Sequence, residues 1–363
     1  MEPYPARGGY STGLSCAWSV TDMGRDGGVG CGRRVATLRV GALALAWLVG
    51  ASSSWSALAG PREVIDAVVG VRAEVPADAR TADTLGRERS GTGIAIDNAG
   101  LVLTVGYIVL EAAAVDLYDA RGERVPAEVV AYDHETGFGL VRAAEPLQGV
   151  QAVPLGKSAE VRVGDPLLVL SRLGPLQVQQ ARLVDRREYA GYWEYLLPDA
   201  LLTTPPHPAF AGAALIDAQG QLVGVGSLTI PDAAGAEIAS PGNLFVPVDA
   251  LGPIMGDLLS QGRREGAGRP WLGLYAREHA GRVVVTGVAD GSPAAAAGVA
   301  PGDVLLSVGA KPIAGLSGLY REIWSLGDAG VRVPLKVLRG PRTVDLDVGS
   351  IDRMRWLRLR QSY

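Results

Sequence analysis

Few residues in this chain could do chemistry, and their spacing is informative. There are three histidines, His134, His207 and His279, and two cysteines, Cys16 and Cys31. The stretch PHPAFAGAALIDAQGQLVGVGSL, Pro206–Leu228, has the shape of a loop that presents a nucleophile ahead of a strand. At its centre stands Ala211, which has no nucleophilic atom, and no serine occurs between Leu201 and Val225. Nucleophilic hydrolysis needs a nucleophile, a base within hydrogen-bond reach and a preorganised oxyanion site. His207, four residues before Ala211, is the imidazole nearest the loop, but it sits between prolines with nothing to activate. His134 reads as a turn residue, and His279 falls in a later segment. No HExxH and no clustered His/Asp/Glu spacing occurs, so no metal or other cofactor is expected. The Gly27–Gly32 run has no strand–helix context to make it a phosphate loop, and nothing points to paired carboxylates for glycoside hydrolysis.

The N-terminus governs how the cysteines are read. Arg33, Arg34 and Arg39 precede an apolar run, Val40–Val49, and Ala57-Leu58-Ala59 is a small-x-small cleavage site. That pattern is an export signal, with Met23 as an alternative start. A single membrane anchor is the competing reading, weakened by Ser52-Ser53-Ser54. Both cysteines precede the cleavage site, so the exported chain has neither a disulfide nor a thiol nucleophile. Residues 1–59 hold five of the 34 basic residues and three of the 38 acidic ones, which leaves the remainder at a net charge of −6. Such a balance argues against nucleic acid as a partner.

The elements that must position these residues are mostly strands. Gly (49) and Pro (23) are plentiful and aromatics make up only 6%, which fits many turns and short strands better than long helices. A first strand is expected around Ala67–Val75. SGTGIAIDNAGLVLTVGYIV turns at Asp97-Asn98-Ala99-Gly100, and RVPAEVVAYDHETGFGLVRA gives two strands about a polar turn. The stretch from Ala152 to Tyr189 is expected to hold at least three strands. AGAALIDAQGQLVGVGSL is a hairpin turning at Ala218-Gln219-Gly220, with Leu215, Ile216, Leu222, Val223 and Val225 as core. Strands at this spacing specify an all-β barrel or sandwich. A helix after Asp249 leads to RREGAGR, a linker. From Pro270 a small α+β unit begins, with helical stretches at Pro293–Ala297 and Leu316–Leu326. The basic end, with Arg353, Arg355, Arg358, Arg360 and Trp356, reads as a solvated tail.

At the motif level the chain resembles the HtrA (Deg) family of exported serine proteases. SGTGIAIDNAGLVLT is similar to the family's SG-x-G-x-I-x-x-x-G-x-(I/V)-L-T, PLGKSAEVRVGD to its P-L-G-(D/N)-S-x-x-(L/V)-x-V-G-D, and NLFVPVD falls where the family has GFAIP. GSPAAAAGVAPGDVLLSVGAKPI matches the family's PDZ stretch. The resemblance spans 61–348. It implies a mostly β fold, a trypsin-like double β-barrel (60–255), a linker (256–269), one α+β PDZ domain (270–350) and a basic tail (351–363), after an N-terminal extension and signal (1–59). It also places the family's triad. LTVGYIV stands where the family has LTN-x-HVV, which puts Tyr107 at the histidine position. GFGLV puts Gly137 at the aspartate, and AFAGAAL, against GNSGGPL, puts Ala211 at the serine. A phenol of ordinary pKa about 10 is a poor base at neutral pH, and Gly137 has no side chain to orient one. Ala209, where the family has the first loop glycine, resists the positive φ that would turn its N–H inward.

What remains is binding. A PDZ domain adds an extended C-terminal peptide as a strand and holds its carboxylate on backbone N–H groups. The resemblance places that loop at Trp271-Leu272-Gly273-Leu274, similar to the family's (Y/W)-L-G-(I/V). Leu272 and Leu274 would line the pocket for the last side chain. On the facing helix, Leu319 and Ile323 would be core, while Tyr320 and Trp324 would touch ligand. The expectation is a periplasmic, catalytically inactive homologue that binds C-terminal peptides or unfolded chains, with active relatives as further partners and a trimer as the family's usual assembly. The alternative is a serine endopeptidase-like hydrolase with residual activity from a non-standard site.

Overall fold

The computed structural model describes residues 61–235 and 239–359. The export signal, Cys16, Cys31 and Gly27–Gly32 lie outside the described residues, as does Arg360.

After a short helix, α1 (Pro61–Asp66), six strands form the first closed barrel: β1 (Val68–Glu74), β2 (Glu88–Ala95), β3 (Leu101–Val105), β4 (Ala114–Tyr118), β5 (Arg124–Tyr132) and β6 (Phe138–Ala143). They run in the order β1-β2-β3-β6-β5-β4, closed by β1 on β4. Two small helices interrupt them, α2 (Ala82–Leu85) and α3 (Gly106–Val109). The β2–β3 turn is fixed by Asp97, whose Oδ1 accepts the N–H groups of Ala99 and Leu101. That is the local side-chain capping expected of an Asp at a turn.

The second closed barrel comprises β7 (Pro166–Arg172), β8 (Leu176–Gly191), β9 (Tyr195–Thr204), β10 (Ala214–Ile216), β11 (Leu222–Ile230) and β12 (Gly242–Pro247), ordered β10-β11-β12-β9-β8-β7. Between Ala152 and Tyr189 only β7 and β8 form, where at least three strands were expected. Val153–Asp165 is instead a connection with one 3₁₀ turn at Ser158–Glu160. Asp249 holds that turn, with its two carboxylate oxygens accepting the N–H groups of Ser158 and Ala159.

The two barrels share a core. Val68, Ile94, Leu103, Phe138 and Leu140 of the first pack in one cluster with Leu170, Ala214, Leu222, Val225 and Val246 of the second. Val69, Val71, Val102 and Val141, on the opposite strand faces, fill the first barrel's interior. Strands buried on both faces read as continuous apolar runs rather than alternations, and all five residues of β3, LVLTV, are buried.

Helix α4 (Met255–Gln261) ends at Gly262 in the left-handed conformation. Next come β13 (Leu274–His279), β14 (Arg282–Val288), α5 (Pro293–Ala296), β15 (Val304–Val308), β16 (Lys311–Pro312), α6 (Gly315–Trp324), β17 (Arg332–Arg339), β18 (Arg342–Gly349) and α7 (Arg353–Trp356). The sheet order is β13-β14-β15-β17-β18, with β16 on β15. Helix α5 starts at Ser292, whose hydroxyl accepts the Ala295 N–H, with Pro293 at its first position. The barrels and this sheet belong to one compact unit.

Two segments expected to be loose are docked. In the linker, Arg264 donates to Asp133 at 3.0 Å and Arg269 pairs with Glu135 at 2.8 Å. In the expected tail, Trp356 is buried with Trp271, Leu110, Ala289 and Leu357. The Arg358 N–H donates to Glu111, which also accepts the backbone N–H groups of Arg80 and Thr81. Trp356 buries its ring there and donates its Nε1–H to the Asp290 carbonyl at 3.0 Å, which docks the tail.

Candidate functional site

The cleft between the barrels is built around α3. Tyr107 lies on this helix, with its ring against the first-barrel core, where Ala211 also packs. The Tyr107 hydroxyl donates to the Ser227 carbonyl on β11 at 2.9 Å, and desolvation raises its pKa. The phenol is therefore a neutral strut between the barrels rather than a base. The Gly137 carbonyl accepts the Gly106 N–H at 2.7 Å, one residue before Tyr107. All three positions thus border α3. Gly137 itself has φ +83°, and a Cβ there would face the Tyr195 hydroxyl at 3.4 Å.

The loop around Ala211 is held by backbone hydrogen bonds. The Ala211 carbonyl accepts the Thr92 N–H, Gly212 N–H donates to the Gly226 carbonyl, and Gly226 N–H donates to the Ala213 carbonyl, each at 2.8 Å. Gly212 has φ +74°, and a Cβ on it would lie 2.0 Å from the Thr92 carbonyl oxygen. Ala209 is not among the residues with positive φ, and its N–H donates to His207 Nδ1 at 3.1 Å. His207 is buried, its own N–H donates to Asn243, and burial lowers its pKa. It is a neutral turn clamp. His279 lies at the exposed end of β13. His134, in the β5–β6 turn, is contacted by Arg353; desolvation, Arg353 and Arg269 push its pKa well below the ordinary imidazole range.

The second part of the site is the groove between β13 and α6. Trp271-Leu272-Gly273-Leu274 forms a tight loop whose N–H groups converge. Gly273 has φ +84°, and a Cβ there would lie 2.2 Å from the Ser292 Cβ. The convergence point holds a carboxylate, that of Glu194 from the second barrel. Leu272 N–H donates to its Oε2 at 3.0 Å, and the Gly273 and Leu274 N–H groups donate to its Oε1 at 2.6 and 2.8 Å. Glu194 lies in the three-residue turn 192–194 joining β8 to β9, where Gly191 pairs with Tyr195. The Ala276 N–H of β13 donates to the Tyr192 carbonyl at 2.9 Å. From α6, the Tyr320 hydroxyl donates to the Gly191 carbonyl at 2.7 Å and accepts the Glu194 N–H at 3.2 Å.

Tyr320 is fully buried and Trp324 stacks on it at 5.7 Å, under the Arg269 guanidinium. Leu319 and Ile323 are in the core, as are Leu272 and Leu274. The structure therefore gathers Leu272, Gly273 and Leu274 around one carboxylate, with Tyr320 bonded to the backbone of the turn that carries it. Trp271 lies on the other side, against Trp356. The sequence reading missed Glu194, which is 78 residues from Leu272. Its only sequence signal was a glutamate at the last position of a three-residue hairpin turn, where glycine or asparagine is usual.

The fold and the site define a class: a trypsin-like peptidase domain followed by a PDZ domain. A trypsin-like peptidase domain model matches residues 91–225, and a PDZ domain model matches 270–349. The chain is 28% identical to the serine protease PepD of Mycobacterium tuberculosis, over 77% of this chain and 65% of that one. It is 25% identical to the HhoA protein of Synechocystis sp., over 71% of this chain and 69% of that one. A DegP-like protein of Chlamydia pneumoniae, named as a periplasmic serine endoprotease, is 24% identical over 71% of this chain; the match spans only about half of it, 54%. Among solved structures, an HtrA-type protease, AlgW with a tripeptide, aligns with TM-score 0.48 and 21% identity, over 82% of this chain and 96% of that one. The chain is homologous to the HtrA/DegP serine proteases.

Proposed function

We propose that this protein is an exported HtrA-like pseudoprotease that acts as a binding scaffold in envelope protein quality control. Its PDZ loop captures the C-terminal carboxylates of peptides or unfolded chains, and its barrels do not hydrolyse them. The observation that carries the reading is the loop 272–274, where three backbone N–H groups converge on one carboxylate. A carboxylate accepting several backbone N–H bonds is strongly held in a low-dielectric site. The cleft supports the non-hydrolytic half: Ala211 offers no nucleophile, Tyr107 is tied to Ser227, and the Ala209 N–H is spent on His207. The periplasmic names of relatives support export.

The test uses the purified full chain in two assays. Unfolded casein should remain intact, with no labelling by a fluorophosphonate probe. Decapeptides ending in valine should bind as free acids and not as C-terminal amides. Casein cleavage that survives rigorous purification would overturn the pseudoprotease reading. Equal binding of acid and amide would overturn the carboxylate reading.

A further inference from the structure

The carboxylate loop is already occupied, and its occupant belongs to the chain. We propose that the hairpin turn Gly191–Tyr195 is a built-in ligand of the groove, with the Glu194 side chain standing in for a peptide's terminal carboxylate, so that an incoming C-terminus binds only by displacing it. The second half of this inference rests on the peptide-binding reading; the first half does not.

Four independent features of an occupied groove come together here. The carboxylate sits on the three loop N–H groups. The Ala276 N–H of β13 donates to the Tyr192 carbonyl, a backbone hydrogen bond of the kind that an added strand makes to the groove edge. The α6 wall grips the turn through Tyr320, bonded to both Gly191 and Glu194. Below the turn, Leu196 of β9 is buried in the PDZ core with Leu272, Leu274 and Ile323. Two lateral contacts add to these: Arg277 of β13 lies 4.4 Å over the Tyr192 ring, and Arg321 of α6 pairs with Glu188 of β8.

The backbone of Glu194 argues that the carboxylate itself is the point. Glu194 has φ +59°, one of three non-glycine residues with positive φ among those described. A side chain in this left-handed region is disfavoured, and glycine would sit there freely. The turn geometry alone selects against glutamate, and the residue is nearly fully buried, at 2% exposure. Such a group persists where surrounding bonds over-determine it.

The test compares the full-length protein with its Glu194→Gly variant, which removes the carboxylate and relieves the turn. Amide hydrogen exchange over Leu272–Leu274 should quicken by about tenfold or more, while β3 and β6 of the first barrel exchange as before. Unchanged protection at 272–274 would overturn the latch. A Glu194→Gln variant serves as a second probe; it keeps the side chain's length but replaces one acceptor oxygen with an amide donor facing the loop N–H groups, and should fall between the two. The same proteins are then titrated with valine-ended decapeptides, free acid and amide. The latch predicts at least about tenfold tighter binding of the free acid to Glu194→Gly than to wild type. Equal affinities would overturn displacement. Faster exchange without binding of any acid peptide would leave the latch standing and remove the peptide-binding reading instead.

Discussion

The cleft and the groove are built from different materials. The cleft's chemistry would have to come from side chains, at positions 107, 137 and 211. The groove's chemistry comes from backbone N–H groups, which no substitution deletes, except proline. Its working parts are lost only when the loop changes shape. The frame around Ala211 is likewise held by the main chain, through the hydrogen bonds of Ala211, Gly212 and Gly226 and the positive φ of Gly212. A cleft that relies on side chains changes with each substitution, whereas a loop that relies on main-chain N–H groups changes only when its shape does.

The comparison can be broken at the frame first. Gly212→Ala drives a Cβ onto the Thr92 carbonyl oxygen in a left-handed conformation. It should cost about 3 kcal/mol or more by urea unfolding, the largest effect anticipated. Gly273→Ala, which meets the Ser292 Cβ at 2.2 Å, should cost about 2–3 kcal/mol and abolish protection of the 272–274 amides. If it were neutral, the loop would not depend on its shape. At the side-chain positions of the cleft the picture differs. Tyr107→His with Ala211→Ser should unfold within about 1 kcal/mol of wild type apart from the lost Tyr107 hydrogen bond, and should leave casein uncut. Adding Gly137→Asp should cost about 1–2 kcal/mol more, because φ is +83° there.

A pH titration sharpens the groove. Burial pushes the Glu194 carboxyl up to about 7, against the downward pull of the three loop N–H groups and Arg353. Once released to solvent it would titrate in the usual carboxylate range. A group whose pKa is higher in the closed state stabilises closure most at low pH, and that contribution is lost as pH rises through about 7. The groups facing it include Arg353 of α7, His134 of the β5–β6 turn, and Tyr320 of α6. His134 works in the opposite sense: its depressed pKa favours closure above the ordinary imidazole range and opposes it on acidification. The difference between wild type and Glu194→Gln isolates the carboxyl. From pH 5.5 to 8, protection at 272–274, corrected for intrinsic exchange, should fall roughly tenfold more in wild type than in the variant. A difference independent of pH would show the carboxyl ionised throughout. The smallest effect belongs to Arg321→Ala, which removes an exposed pair with Glu188 and should change stability by about 0.5 kcal/mol or less.

Much of the fold was legible because its signals are local. The Asp97 turn, the Ala218–Gly220 hairpin, the Ser292-Pro293 helix start and the apolar positions of β10 and β11 are all set by neighbours in sequence. The stretch Val153–Asp165 misled for a physical reason. Its alternating apolar residues suit a strand, but Asp249, some 90 residues away, draws Ser158 and Ala159 into a 3₁₀ turn. The carboxylate loop could be placed by its motif, but not its occupant. Nothing local in the tyrosine-rich stretch REYAGYWEY says that Glu194 faces Leu272, because the contact depends on how the barrel and the sheet pack. Docking of Trp356 was hidden likewise, since its partners Trp271 and Leu110 are remote in sequence.

The β5–β6 turn has a mechanical consequence. Asp133 and Glu135 anchor Arg264 and Arg269 of the connecting segment, and His134 between them meets Arg353 beyond the sheet. Gly137, at the end of the same turn, is bonded to Gly106 at the head of α3. A swing of the C-terminal sheet would therefore not be absorbed by a slack tether. The load would pass first into this one turn, and from there into the floor of the cleft.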